Sequence, residues 1–170
     1  MRSFLLSALK KKFVGSTLDT FTEAHGHDWL VWEPGGWIPP AKTTLAGGTL
    51  KVVPKLVVRS PRLEVRSLSG EALALALEPK RDGTPIILGR KNCDFEVNDA
   101  TVSVKHLHFI YDGYRWAVAD LGSRNGTKLN GVKLNQNLEP IFNGAQIAVG
   151  SVRLTYYLPM GMHERLSGAQ

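Results

Sequence analysis

The chain has 170 residues, of which 43% are hydrophobic, and its formal net charge is +6 at neutral pH. This composition excludes a disordered polypeptide and predicts one domain with a real core plus an extension. The single cysteine, Cys93, excludes an internal disulfide framework and a cysteine zinc site, so we expect a cytoplasmic protein. Basic residues occur in both halves of the chain rather than in one stripe, so we expect no nucleic-acid partner.

The segment from Met1 to Gly26 shows the pattern of two short helices. The apolar stretch of MRSFLLSALKKK is too short for a secretory signal, and its lysines follow it instead of preceding it. It predicts a helix from about Ser3 to Phe13, which Gly15 ends. Ser16 is a candidate cap for a second helix, which Gly26 would end. No segment is long enough to span a bilayer, so we expect no membrane partner.

Three of the four tryptophans follow these helices in DWLVWEPGGWIPP. We expect Trp29, Trp32 and Trp37 to form a small satellite core or to dock onto the main domain, with a partner-binding aromatic surface as the alternative. The proline and glycine residues after Glu33 predict turns or a linker, and the composition then changes to short strands. We place a domain boundary at residues 40–55.

From Leu56 onward the chain alternates short apolar strands with glycine and asparagine turns, which predicts an all-β sandwich. In Ala72–Leu77, three leucines share one face at a period of two. A tight Gly150-Ser151 turn should join the last two strands. The predicted strands are Leu63–Leu68, Ala72–Leu77, Pro85–Leu88, Leu107–Tyr111, Tyr114–Val118, Gln146–Val149 and Val152–Leu158.

Three polar clusters stand at the ends of predicted strands and have the chemistry of a phosphate site. Gly89-Arg90 follows the first strand of the set, Ser103 lies in the second cluster, and Arg124-Asn125 lies in the third. The arginines supply charge, the serine and asparagine supply neutral donors, and glycines at strand ends expose backbone N–H groups.

The order and spacing of these clusters resemble the forkhead-associated (FHA) domain, a β-sandwich that reads phosphothreonine peptides. The motifs are Gly89-Arg90, Ser103 with His106, and two Asn-Gly pairs within DLGSRNGTKLNG. The resemblance covers residues 56–158 and implies an FHA-type sandwich of many short, mostly antiparallel strands. It divides the chain into an extension at 1–55, the FHA domain at 56–158 and a C-terminal tail at 159–170.

The resemblance assigns a role to each polar residue of the clusters. Arg90 and Ser103 would contact the phosphate, and Asn125 would hydrogen-bond the peptide main chain just after the phosphothreonine. Arg124 and, less directly, Lys105 would reach the phosphate or an acidic neighbour. The residues alone leave plainer alternatives open: an Arg90 paired with Asp94 or Asp99, a turn-capping Ser103, and a simple turn at Asn125.

A second group would support the binding loops without touching the ligand. In the family, the histidine of the serine motif braces these loops, and the glycines and the second Asn-Gly pair form turns. The supporting residues are Gly89, His106, Gly126, Asn130 and Gly131. His106 and His108 share a strand face, as metal ligands sometimes do, but no third ligand is apparent, so we predict no metal and no cofactor.

One position departs from the family pattern. The residue after the motif serine is often polar and contributes to binding, whereas here it is Val104, which cannot donate a hydrogen bond. This departure favours either a ligand with an apolar residue at that point or a scaffold that has lost phosphate binding and acts through phosphate-independent contacts.

The function implied is a non-enzymatic, phosphothreonine-dependent adaptor in Ser/Thr kinase signalling. Its partner would be a phosphorylated substrate of the kinase or the kinase itself. An enzyme or nucleic-acid binder within the extension is the weakest alternative, because that segment shows no catalytic arrangement.

The role of the extension stays open at the level of sequence. It would be a dimerisation element that forms a homo-oligomer, a docking site or a lid, since some small bacterial FHA proteins capture a phosphorylated threonine of their own tail. Thr17, Thr20 and Thr22 are the candidates for such capture, with ordinary helix-start and packing roles as the alternative.

Overall fold

A computed structural model describes residues 2–33, 55–60, 63–66 and 72–168, of which 55–60 and 63–66 are described by their backbone alone. Trp37 and the predicted linker lie outside these residues. Three helices are present in the described ranges: α1 (Leu6–Phe13), α2 (Leu18–Ala24) and α3 (Pro159–Leu166). The strands are β1 (Ser3–Leu5), β2 (Asp28–Trp32), β3 (Lys55–Ser60), β4 (Leu63–Arg66), β5 (Leu73–Leu77), β6 (Ile86–Gly89), β7 (Phe95–Asn98), β8 (Leu107–Tyr111), β9 (Trp116–Asp120), β10 (Thr127–Leu129), β11 (Val132–Lys133), β12 (Glu139–Pro140), β13 (Gln146–Val149) and β14 (Val152–Tyr157).

The described strands form two seven-stranded sheets that pack face to face. The first sheet has the order β1-β5-β2-β14-β13-β10-β11, and the second has the order β12-β9-β8-β6-β7-β3-β4. Among the described pairs only β6 and β7 run parallel, and the others are antiparallel. The predicted sandwich of many short, mostly antiparallel strands is therefore confirmed.

The tryptophan-rich strand β2 lies in the middle of the first sheet, where it pairs with β5 on one side and β14 on the other. Successive side chains of a strand point to opposite faces. Trp32 accordingly packs in the core between the sheets, while Trp29 packs on the outer face, and both are fully buried. Of the two expectations for these tryptophans, burial against the sandwich is the one that the structure bears out.

The three helices cover part of the outer face of the first sheet and form a second apolar cluster there. Leu6, Leu9 and Phe13 of α1, Phe21 of α2 and Met162 of α3 are buried in it. The cluster also takes in Trp29 of β2. Burial of an apolar stripe stabilises each of these short helices, which would be marginal in isolation.

The predicted helix boundaries were wrong at both helix starts. Ser3–Leu5 is a strand paired with β5, so the first helix begins at Leu6. The cap of α2 is Thr17, whose Oγ1 accepts the Thr20 N–H at 3.2 Å, and not Ser16. Sequence patterns identify a helix more reliably than its ends, because neighbouring strands compete for the terminal residues.

The threonines of α2 have local partners in the structure. Thr17 and Thr20 are joined through their hydroxyls, and the Thr22 hydroxyl donates to the Leu18 carbonyl at 2.8 Å. These are ordinary roles for threonine at and near a helix start.

Each strand predicted from the sequence is present, nearly to its predicted extent. Gln146–Val149 and Leu107–Tyr111 match β13 and β8, and the turn at Gly150-Ser151 brings Val149 opposite Val152. The prediction did not include β2 or β7, which the structure adds to the two sheets.

The division at residues 55 and 158 stays a prediction. Strand β2 and helix α3 nevertheless pack within the same sandwich unit as the later strands. In the described part of the chain, no helix has the length and apolarity needed to cross a bilayer.

Candidate functional site

All three polar clusters meet at one end of the sandwich, because the strand register brings their strand ends together. Leu107, just after the second cluster, pairs with Leu88 on one side and with Asp120 on the other. Asp120 immediately precedes the third cluster, and Leu88 precedes the first. The other end of the same hairpin is marked by the Tyr111–Trp116 pair.

The first loop approaches the second so closely that only glycine fits. A Cβ at Gly89 would lie 2.2 Å from the Val104 carbonyl oxygen and 2.9 Å from the Cys93 sulfur. The Arg90 N–H donates to the Ser103 carbonyl at 2.9 Å, and the His106 N–H donates to the Leu88 carbonyl at 2.9 Å. These contacts join the Arg90 loop to the Ser103 loop as one unit.

Arg90 is exposed, and its guanidinium makes no hydrogen bond or ion pair with any described residue. Its two alternative partners are occupied elsewhere. Asp94 pairs with Lys80 at 2.8 Å and accepts the Ile87 N–H at 2.9 Å, and Asp99 accepts the Thr101 N–H at 2.8 Å. The guanidinium is thus left as a planar, charged donor at the loop surface.

The Ser103 hydroxyl connects the second loop to the third. Its oxygen accepts the Arg124 N–H at 2.9 Å. Within the described residues the hydroxyl has no acceptor for its own proton, and the residue is half-buried. A hydroxyl whose oxygen is already engaged and whose proton is not is well prepared to donate to an incoming anion.

His106 is fully buried, and both ring nitrogens are used. Nδ1 accepts the Ser103 N–H at 3.0 Å, so Nε2 carries the proton that it donates to the Gly126 carbonyl at 2.9 Å. Burial lowers the pKa of His106 below its ordinary value, which maintains the neutral ring that this arrangement requires. The geometry matches the bracing role that the family resemblance implies.

Asp120 is a supporting residue that the sequence analysis did not identify. Its Oδ1 accepts the N–H groups of Gly122 and Ser123 at 2.8 Å, and its Oδ2 accepts the hydroxyls of Ser123 and Thr127 at 2.6 and 2.7 Å. Burial favours the neutral acid, but the hydrogen bonds to Ser123 and Thr127 outweigh it and lower the pKa of Asp120. An aspartate followed by short polar residues and glycine is the sequence signal for such a loop.

Asn125 is exposed on the third loop and is attached to the second. Its Nδ2 donates to the Thr101 carbonyl at 2.8 Å, which leaves Oδ1 and a second N–H for a ligand. Gly126 follows with φ of +77°, a conformation that favours glycine. The arrangement is therefore more than a simple turn, because the amide is held in place by a neighbouring loop.

Thr101 links the site to the turn between β13 and β14 and was also missed. Its hydroxyl contacts Asp99, and its Oγ1 accepts the Ser151 N–H at 2.7 Å. A Cβ at Gly150, whose φ is +57°, would lie 2.4 Å from that oxygen. No local pattern predicts this contact, because Thr101 and Ser151 are far apart in the sequence.

The second Asn-Gly pair forms the predicted hairpin turn between β10 and β11. Asn130 and Gly131 both have positive φ, 49° and 84°, as a two-residue hairpin turn of this kind requires. The Asn130 side chain also accepts the Gln146 N–H at 2.9 Å, which attaches the turn to β13.

The remaining candidates lie at the rim. Val104 is 47% exposed, and Lys105 and Arg124 are exposed. The site therefore presents guanidinium, hydroxyl and amide donors from three interlocked loops, with cations at its rim, and it is suited to an anionic oxygen group. In the described ranges no three His, Cys, Asp or Glu side chains gather as metal ligands would.

The fold and the site define a class of protein: a β-sandwich binding module whose ligand site is built from loops at one end. A family model described as FHA domain matches residues 86–150. The chain is an FHA-domain protein.

Individual relatives match over parts of their length. The chain is similar to the oxoglutarate dehydrogenase inhibitor of Corynebacterium jeikeium, with 36% identity over 37% of this chain and 42% of the relative. It is also similar to the glycogen accumulation regulator GarA of Mycolicibacterium smegmatis, with 30% identity over 52% of this chain and 60% of the relative. A solution structure of an Arabidopsis thaliana FHA domain is 28% identical, has a TM-score of 0.46, and the match covers 66% of this chain and 92% of that one. The chain thus covers less than two thirds of these two curated relatives.

Proposed function

We propose that this protein is a phosphothreonine-dependent adaptor in Ser/Thr kinase signalling, with no catalytic activity of its own. The observation that carries the proposal is the pairing of an exposed guanidinium on Arg90, free of described partners, with a Ser103 hydroxyl whose oxygen is already engaged. Both belong to loops joined by the bond from the Arg90 N–H to the Ser103 carbonyl.

The ligand chemistry follows from these donors. A phosphothreonine carries about −1.5 to −2 charges at pH 7 and has three strong acceptor oxygens. Arg90 supplies a charged fork, Ser103 supplies a hydroxyl proton, and Arg124 supplies a second cation at the rim. Asn125, held by Thr101, would bind the peptide main chain just after the phosphothreonine and keep it extended.

The magnitudes require both kinds of contact. Three charge-assisted hydrogen bonds contribute roughly 1.5 to 3 kcal/mol each, and association costs about 4 kcal/mol or more. Phosphate contacts alone would bind weakly. The main-chain contact through Asn125 and one side-chain pocket are needed to reach the micromolar range, about −8 kcal/mol.

The partner is proposed to be a phosphorylated substrate of a Ser/Thr kinase or the kinase itself. The printed names of two relatives, an inhibitor of oxoglutarate dehydrogenase and a regulator of glycogen accumulation, support a regulatory role. We place this role in the cytoplasm of a bacterium. A homo-oligomer formed through the N-terminal segment is not part of the proposal, because that segment packs on its own sandwich.

Val104 favours a second candidate function, a scaffold that has lost phosphate binding. Its side chain is exposed beside the phosphate loops and cannot donate a hydrogen bond. Its carbonyl is occupied, since it accepts the Cys93 S–H at 3.1 Å. One donor of the family pattern is therefore missing, although Arg90, Ser103 and Asn125 are retained.

Binding of an oriented phosphothreonine peptide library, with the same peptides unphosphorylated, tests the proposal. We expect selective capture of phosphorylated peptides, and at least a tenfold loss of affinity in Arg90→Gln and in Ser103→Ala with melting temperatures close to that of the parent. Arg81→Gln, which removes an exposed arginine without described partners, is the charge-matched control. Equal affinity for the two peptide forms would reject the adaptor and favour the scaffold.

A further inference from the structure

The open part of the first sheet carries two lysines in an energetically unfavourable position. Lys128 of β10 and Lys133 of β11 are direct cross-strand partners, and both are exposed. Like charges directly opposite each other on a sheet repel and destabilise it. Neither ammonium makes an ion pair or hydrogen bond with a described residue.

The same row continues across the sheet. Lys128 pairs with Ala148 of β13, and Ala148 pairs with Arg153 of β14. Neighbouring strands are about 4.8 Å apart, so the three cations occupy one line across the outer face. The four strands β10, β11, β13 and β14 contain no aspartate or glutamate. We call Lys133, Lys128 and Arg153 the basic row.

The basic row begins at the phosphate site. The Lys133 Cε lies 3.4 Å from the position that a Cβ on Gly126 would occupy, so the lysine stem lies against the third loop. The Gly126 carbonyl accepts from His106, and Asn125 precedes it. The cations are therefore continuous with the loop proposed to hold the peptide main chain.

We propose that the basic row binds an acidic segment that lies on the C-terminal side of the phosphothreonine in the partner protein. This inference rests on the proposed function, because Asn125 is the residue expected to hold the main chain after the phosphothreonine. An extended peptide advances about 3.3 Å per residue, so successive acidic side chains can reach successive cations of the row. Binding would also relieve the repulsion between Lys128 and Lys133.

Three peptides with one phosphothreonine core test the proposal. The first has neutral flanks, the second has four glutamates after the core, and the third has the same four glutamates before it. At low salt we expect the second peptide to bind about fivefold more tightly than the first, and this advantage to fade as salt is added. The double variant Lys128→Gln/Lys133→Gln should bring the affinity ratio of these two peptides close to one.

The control variant Lys11→Gln/Arg81→Gln removes two charges from other exposed positions and should leave the ratio unchanged. The Lys128→Gln/Lys133→Gln protein should melt at or above the parent temperature, since it loses a repulsive pair. An equal advantage for the third peptide, or an advantage that survives the double variant, would overturn the proposal. Binding of anionic vesicles or nucleic acid through the row, without a peptide preference, would overturn it as well.

The neutral-flank peptide separates the two proposals. Its binding reports on Arg90 and Ser103 alone, so failure of that peptide to bind in its phosphorylated form rejects the proposed function. Binding of the neutral peptide with no gain from the acidic flank rejects only the role of the basic row.

Discussion

The Cα atom of Gly89 lies directly against the backbone carbonyl of Val104, so that a Cβ at this position would lie 2.2 Å from the carbonyl oxygen. This contact lets the first two loops of the site share hydrogen bonds. It makes the glycine of the Gly-Arg pair a packing requirement rather than a source of flexibility.

Gly89→Ala should therefore reduce stability more than an ordinary glycine substitution. The added methyl overlaps backbone that cannot move without breaking the Arg90 to Ser103 bond, and we expect a loss of about 3 kcal/mol in the free energy of unfolding. Gly113→Ala, at a φ of +100° with no atom within 4 Å, is the control and should cost about 1 kcal/mol. Urea unfolding of both variants measures the difference, and equal costs would contradict the close-packing argument.

His106→Ala should weaken the fold and the proposed binding together. The substitution leaves the Ser103 N–H and the Gly126 carbonyl without their buried partner, and each such group costs roughly 1 to 3 kcal/mol. His108→Ala removes a half-buried histidine of β8 that makes no such bonds with described residues, and it should have a much smaller effect. Thermal melting with peptide titration compares the two, and a fully stable His106→Ala protein would show that the ring is not a brace.

His25 should make the protein sensitive to acid. It is buried among the rings of Phe4, Phe13, Phe21 and Trp29. Burial, together with the nearby charges of His27, Arg2 and Lys12 and against that of Glu78, lowers its pKa from 6.5 to about 4. The unfolded chain then binds the proton first, so stability is complete above pH 6.5 and falls as the pH drops toward 4.

The variant His25→Phe tests this pH dependence. It also removes an Nδ1 that has no hydrogen-bond partner in the structure. We expect the melting temperature at pH 7.5 to be kept or raised and its decline between pH 6.5 and 4 to become shallower. A decline of unchanged steepness would assign the acid sensitivity to other groups, of which His27 and His106 also have lowered pKa values.

Affinity for a phosphothreonine peptide should itself depend on pH. The second pKa of the phosphate is near 6, so the dianion and its attraction to Arg90 are lost as the pH falls through that value. Titrations at pH 7.5, 6.5 and 5.5, with circular dichroism to verify that the protein stays folded, measure the effect. Flat binding over this range would mean that the site reads something other than a dianion.

Deletion of residues 1–40 should prevent folding of the sandwich. It removes β2, which pairs with both β5 and β14, and it removes Trp32 from the main core. Trp32→Ala alone should cost about 3 to 5 kcal/mol. The triple variant Thr17→Ala/Thr20→Ala/Thr22→Ala is the control for self-capture and should change neither the fold grossly nor peptide affinity. A stable truncated domain that binds peptide much more tightly would instead identify the segment as a lid.

The strand pattern and the phosphate motifs were readable because they are local. Gly89-Arg90, Ser103 and Asn125-Gly126 stand at strand ends, and the positive φ of Asn130 and Gly131 follows from residue types that tolerate it. Glycine, asparagine and alternating apolar residues restrict the backbone over a few positions, whatever the rest of the chain does. The all-β sandwich and the set of candidate site residues could therefore be predicted.

The place of the N-terminal segment could not be predicted in the same way. Nothing local to Asp28–Trp32 says that it lies between β5 and β14, because both of these partner strands are distant from it in the sequence. The same holds for Ser151 against Thr101. In each case the contact depends on how the whole sandwich assembles.

By itself, the sequence determined which residues form strands and turns and which side chains have the chemistry of an anion site. Only the tertiary structure decided that Arg90 is left without a described partner, that Ser103 is engaged through its oxygen, and that Lys128 and Lys133 face each other beside the site. The physical reason is that propensities act over a few residues, whereas partner choice depends on sheet register and burial across the whole domain.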